Sequence, residues 1–295
     1  MEFRINMLFI VQFHDLLSST IMKTLFYFAV LTLFYSCTEQ STFEHPIYKS
    51  IANDSALHYY ELGWKQIMDE GHYGPAEKSY RKVLLHDPDF LMGKSVLGRL
   101  TLDLDERLKI FSEIQGQKET VTGDERLILD AYTALVDYTN AREQGIPGLQ
   151  EKREVAFRLV EDNFKKIVHK YPTEVYMKAE YIEFLHSAYG PKKALDSIAV
   201  LTNSEQKENP FLLGYQASML AEMGAFEKAL KKAEYLKAIT TEKDIPKPYA
   251  VLADVYFQMD SLQLAKSNAE KANNLDPRNL DASRLLEKIM RQLEN

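Results

Sequence analysis

Along most of this chain apolar side chains recur every three or four residues, with polar residues between them, which is the signature of amphipathic helices. In the stretch Pro246 to Pro277, Tyr249, Leu252, Ala253 and Tyr256 fall on one helical face, and Leu262, Ala265, Ala269 and Ala272 do the same in its second half. Alanine at a helix crossing lets two backbones approach closely, while tyrosine and leucine fill the space beside them. Met259-Asp260-Ser261 supplies a turn, and Ser261 is expected to cap the second helix. Asp276-Pro277 ends that helix, because proline lacks an N–H and disfavours helical geometry in the residue before it. No stretch shows convincing period-two alternation, so the pattern predicts an all-α chain.

The preceding stretch, Pro210 to Ile239, aligns on this one with a step of about 36 residues. Gly224 falls on Asp260, Phe226 on Leu262, Ala229 on Ala265, Ala233 on Ala269 and Leu236 on Ala272. Far upstream, Leu62-Gly63, Gly71, Tyr73, Ala76, Tyr80, Val83 and Pro88 fall in the same order, and Ala76 to Pro88 repeats the spacing of Ala265 to Pro277. These motifs resemble the tetratricopeptide repeat family, whose period is about 34 residues. The match is specific in these three copies and looser in three others. One begins near Phe90 and carries Leu108, Ile110 and Phe111 in place of alanines; a polar loop, Gln115 to Gly123, follows it. The next has long helices over Asp124 to Glu143 and Gln150 to Lys170, broken at Gly145-Ile146-Pro147-Gly148. The last runs from Glu174 to Leu201 and turns at Gly190-Pro191. A lone helix, Asn279 to Leu293, turns Leu285, Leu286, Ile289 and Leu293 inward and is expected to cap the array. The resemblance implies a right-handed α-solenoid of about six helix pairs plus this C-terminal capping helix, spanning residues 53–295.

The N-terminal segment predicts an address. Met22-Lys23 precedes the uncharged, largely apolar run Thr24 to Ser36, followed by Cys37, the only cysteine in 295 residues. A basic start and a short apolar centre describe a secretory signal peptide. The run is shorter than the roughly 20 residues a spanning helix needs. Ser36-Cys37 resembles the lipobox of bacterial lipoproteins, which implies that Cys37 is acylated. An uncleaved signal anchor and a simple cleaved signal are the other readings. Residues 1–21 hold a second apolar patch, Met7 to Phe13. Either Met22 is the true start or the two patches form a bent anchor. Domain organisation therefore reads as signal and lipobox (1–37), flexible tether (38–52) and helical repeats (53–295).

Charge narrows the function. With 36 Lys+Arg against 43 Asp+Glu, the chain lacks the basic excess that displaces counterions from nucleic acid. The seven histidines show no metal-ligand spacing, so no metal or other cofactor is expected. Gly93-Lys94-Ser95 looks like the end of a phosphate loop, but Pro88 stands where the loop needs glycine and the segment lies inside a predicted helix. The acidic pairs Asp103/Asp105 and Glu180/Glu183 read as helix or turn surface. No catalytic constellation emerges, and the chain is expected not to be an enzyme and to have no small-molecule substrate.

What remains is a surface. The resemblance implies a concave face, lined by the first helix of each pair, that holds peptides or partner helices. In the clear copies its candidates are Phe211, Tyr215, Ser218 and Glu222, then Lys247, Val251, Asp254 and Gln258. The lysine–asparagine pattern of family members that clamp a C-terminal carboxylate is absent: Lys247 stands alone and Asp254 would repel a carboxylate. The sequence thus predicts a lipid-anchored, non-catalytic scaffold presenting a protein- or peptide-binding groove in a Gram-negative envelope, at the outer membrane facing the periplasm. The alternative is an accessory subunit docking into a larger envelope complex through its outer faces.

Overall fold

The computed structural model describes residues 45–240 and 244–294. The signal segment, Cys37 and residues 38–44 lie outside the described residues. Among those described there is no strand, and the chain forms fourteen α-helices. Most follow one another as antiparallel pairs.

The first pair is α1 (Asp54–Lys65) and α2 (Tyr73–His86), joined by a π turn at Gln66–Glu70. Then come α3 (Leu91–Leu100) with α4 (Leu104–Gln117), and α5 (Gly123–Glu143) with α6 (Leu149–Lys170). Next are α7 (Val175–Tyr189) with α8 (Pro191–Leu201), and the short α9 (Ser204–Lys207). Helices α10 (Pro210–Glu222) and α11 (Phe226–Ile239), α12 (Lys247–Gln258) and α13 (Leu262–Leu275), and a final α14 (Leu280–Leu293) complete the array. The first members of successive pairs also touch: α3 packs on α5, α10 on α12 and α12 on α14.

The aligned copies share geometry residue by residue. Gly71, Gly224 and Asp260 all take positive φ, at 74°, 75° and 57°. Five residues on, Ala76, Ala229 and Ala265 have no exposed surface, as do Tyr80, Ala233 and Ala269, then Val83, Leu236 and Ala272. The packing reason is visible at Gly63, where a Cβ would lie 2.6 Å from the Tyr80 ring. Gly214 permits the same close approach at a later crossing, where a Cβ would lie 2.8 Å from Val251.

Three expectations are corrected. Ser261 makes no side-chain cap; the turn closes through its backbone N–H, which donates to the Tyr256 carbonyl. Helix replaces most of the predicted loop at 115–123, since α4 runs to Gln117 and a 3-10 turn covers Lys118–Thr120. Residues 45–52, read as the end of a tether, dock on the array. Ile47, Tyr48 and Ile51 are buried, Ala52 N–H donates to Asp87, and Ser50 N–H donates to the buried Glu125.

Tyr48 belongs to a block of rings that locks the first pair in place. It meets Tyr60 edge-on; Tyr60 meets Trp64, Tyr80 and Phe90 the same way, and Trp64 stacks on Tyr176 of α7. Edge-to-face and offset rings add to burial because ring edges and faces carry opposite partial charge. Through this block the π turn is carried to the inner helices.

Candidate functional site

Segment 66–74 lies across the N-terminal ends of four inner helices. Asp69 accepts from Tyr176 Oη at the start of α7 (2.7 Å) and from Asn209 Nδ2 (2.9 Å). Asn209 is also the N-cap of α10, its Oδ1 accepting from Phe211 N–H and Leu212 N–H. Gly71 sits against the first residue of α12, where a Cβ would lie 3.0 Å from Lys247 N. Its carbonyl accepts from Asn279 Nδ2, the N-cap of α14, at 2.8 Å. Tyr73 Oη donates to Asp281 (2.8 Å), and Gly74 N–H donates to Asp276 (3.0 Å). Outside this floor, Arg278 pairs with Glu77 of α2 and donates to the Leu100 carbonyl of α3. The first and last helix pairs are therefore in contact.

Above this floor lies a cavity of about 550 Å³. Trp64, Met68 and Tyr73 close its base, and α7, α10, α12 and α14 form its walls. Six of the eight sequence candidates line it: Phe211, Tyr215, Ser218, Lys247, Val251 and Asp254. Glu222 stands beside it, 2.6 Å from His186 Nε2, and Gln258, at the end of α12, is not part of the lining. The Phe211 and Tyr215 rings stack at 5.1 Å, one turn apart on α10. Lys247 Nζ sits 4.8 Å over the Phe211 ring, and the His186 ring meets Tyr215 edge-on.

Sequence reasoning missed the other charged members. Arg99 of α3 and Glu180 of α7 form a two-bonded pair (2.7 and 3.3 Å), with the guanidinium 4.5 Å over the Tyr132 ring. Glu180, expected on the surface, is buried, whereas Glu183 is exposed as expected and lines the cavity. Their spacing is that of any solvated helix face, so the sequence carried no signal for them. Asp281 and Arg284 of the capping helix complete the lining.

Enclosure perturbs these groups. Desolvation between the cavity walls raises the Glu183 carboxyl to about 7, although the residue is exposed to solvent; Glu180 and Asp281 push the same way, against Arg99 and Lys247. Burial also lowers Lys247, although Asp281, Asp69 and Glu183 pull it up. Asp254 is raised by burial, with Ser218 and Gln258 pulling it down. Asp69 is raised by burial despite the donors Tyr176 and Asn209. No group of acidic, histidine or cysteine residues suited to a metal ion occurs among the described residues. No described helix is long and apolar enough to cross a membrane. No protein-family model matches this chain, and no curated protein is similar to it in sequence.

Proposed function

We propose that this chain is a non-catalytic binding protein of tetratricopeptide-repeat type, lipidated at Cys37 and held at a bacterial envelope membrane, facing the periplasm. Its inner helices take a polypeptide partner. The array is read as a right-handed superhelix whose concave side is the cavity. What supports the repeat reading is the threefold recurrence of a positive-φ turn residue followed, at the same offsets, by three fully buried positions. One observation carries the binding reading: helices far apart in the chain turn charged and aromatic side chains into one cavity of about 550 Å³, within the size range of ligand pockets. The closed base favours a partner that enters by a chain end over one that runs through. Confinement at a membrane raises the effective concentration for partners there, and a preformed wall lowers the ordering cost of binding.

The test is photocrosslinking in native membranes, with the reactive amino acid placed at Tyr215 on the inner wall or at the outward-facing Val200, which is 83% exposed. Adducts from position 215, lost when Cys37→Ala releases the chain from the membrane, are expected. Adducts from position 200 alone would replace this reading with docking through the outer faces.

A further inference from the structure

The charges lining the cavity do not cancel. Arg99 and Glu180 neutralise each other, Asp281 accepts from Tyr73, and Asp254 shares the cavity wall with Ser218. Three further charged groups have no ion pair among the described residues: the exposed Arg284 and Glu183, and the half-buried Lys247. Glu183 makes no hydrogen bond or ion pair among the described residues, and Lys247 has only the face of Phe211. They are of opposite sign, yet no salt bridge joins them. Both line the cavity, Lys247 half-buried and Glu183 exposed to solvent.

Their placement is that of two ends of a short ruler. Glu183 projects from α7 and Lys247 from α12, the helices flanking α10. Along α10 lies the stacked pair Phe211 and Tyr215, with Phe211 beneath Lys247 and Tyr215 beside His186 of α7. An aromatic shelf therefore runs between an unpaired ammonium and an unpaired carboxylate.

We propose that this cavity binds a small zwitterion, a free amino acid or a short peptide with both termini free, whose carboxylate meets Lys247, whose ammonium meets Glu183, and whose apolar portion rests on Phe211 and Tyr215. The proposal depends on the inner cavity being the binding site, as proposed for the polypeptide partner. A ligand with both charges satisfies Lys247 and Glu183 at once; a ligand with only one charge leaves the other group without a partner. A preformed site of this kind discriminates against analogues lacking one charge, most of all against one lacking the carboxylate, because the half-buried Lys247 then has no partner.

The full chain in detergent is titrated with free phenylalanine, glycyl-phenylalanine, N-acetyl-phenylalanine and phenylalanine amide, read by thermal shift and calorimetry. Saturable binding of the first or second compound, and not of the two singly charged analogues, is expected; which of the two binds tells amino acid from peptide. Glu183→Gln and Lys247→Met each weaken it by roughly tenfold or more, and Lys247→Arg retains some of it. Circular dichroism verifies folding, and Glu183→Asp replaces any variant that fails to fold. Equal response to all four compounds, no response to any, or unchanged binding in both variants overturns the proposal. If position 215 still crosslinks a polypeptide while every zwitterion is inert, the zwitterion falls alone and the partner-binding reading stands.

Discussion

Asn279 Nδ2 donates to the carbonyl of Gly71 across 2.8 Å, joining residues 208 positions apart. The same side chain accepts from Ala282 N–H and so starts α14. One buried asparagine thus both begins the last helix and fastens it to the first turn of the array. Around it, Tyr73–Asp281, Gly74–Asp276 and Glu77–Arg278 extend the seam.

Asn279→Ala removes a cap worth about 1 kcal/mol and strands a buried carbonyl at about 1–3 kcal/mol, so chemical denaturation should show a loss of about 2–4 kcal/mol. Asn279→Ser keeps the cap without the reach to Gly71 and should recover only about 1 kcal/mol of that loss. Full recovery by serine would show that the seam contributes nothing.

Asp260 is the only non-glycine at positive φ among the described residues, and it occupies the position that Gly71 and Gly224 hold in the other copies. Left-handed backbone costs an L-residue about 1–2 kcal/mol, partly offset by the greater unfolded freedom of glycine. Asp260→Gly should therefore stabilise by about 0.5–1 kcal/mol. Gly224→Ala meets nothing within 4 Å and should cost about 1 kcal/mol through backbone strain alone. Thermal melts of the two variants read opposite signs if the copies are equivalent.

Gly63→Ala drives a methyl group to 2.6 Å from the Tyr80 ring, which has no exposed surface and no room to retreat. Overpacking of this kind costs about 1–3 kcal/mol. Gly116→Ala, with nothing within 4 Å and inside α4, should instead gain about 0.5–1 kcal/mol of helix propensity. Denaturation midpoints of the two single variants separate packing from propensity.

The Glu183 carboxyl, raised from 4.5 to about 7 in the folded chain, binds its proton more tightly folded than unfolded. Its favourable linkage is therefore complete below pH 4.5 and is lost as pH rises through 7. Glu183→Gln should leave the melting temperature unchanged near pH 4 and raise it at pH 8. The facing groups are Glu180 on the same helix, Arg99 on α3, Tyr215 on α10, Lys247 on α12 and Asp281 on α14. An equal shift at both pH values would show that Glu183 titrates normally.

The helices were legible where their signals are local. Pro210, Pro191 and the Asp276-Pro277 stop mark ends within a residue or so, and Ala229, Ala233, Ala265, Ala269 and Ala272 are buried as their spacing requires. Six groove candidates reached one cavity because helical register and repeat alignment together fix which side of α10 and α12 faces inward. The rest depends on partners far off in sequence. Nothing near Asp69 signals Tyr176 or Asn209, and nothing near Glu180 signals Arg99, 81 positions away. Ile47 and Tyr48 sit in a short, polar-flanked stretch whose burial depends on Tyr60 of α1 and on Phe90 at the start of α3.

An unclosed stack of helix pairs can gain or lose a unit at little cost, because each unit meets only its neighbours. Contact between the Gly71 turn and the Asn279 cap removes that freedom. Inserting or deleting one pair would rotate the final helix away from the turn it grips and open the floor of the cavity. Copy number here is thus a fixed dimension of the molecule, and a natural variant of different length must either change its seam or do without one.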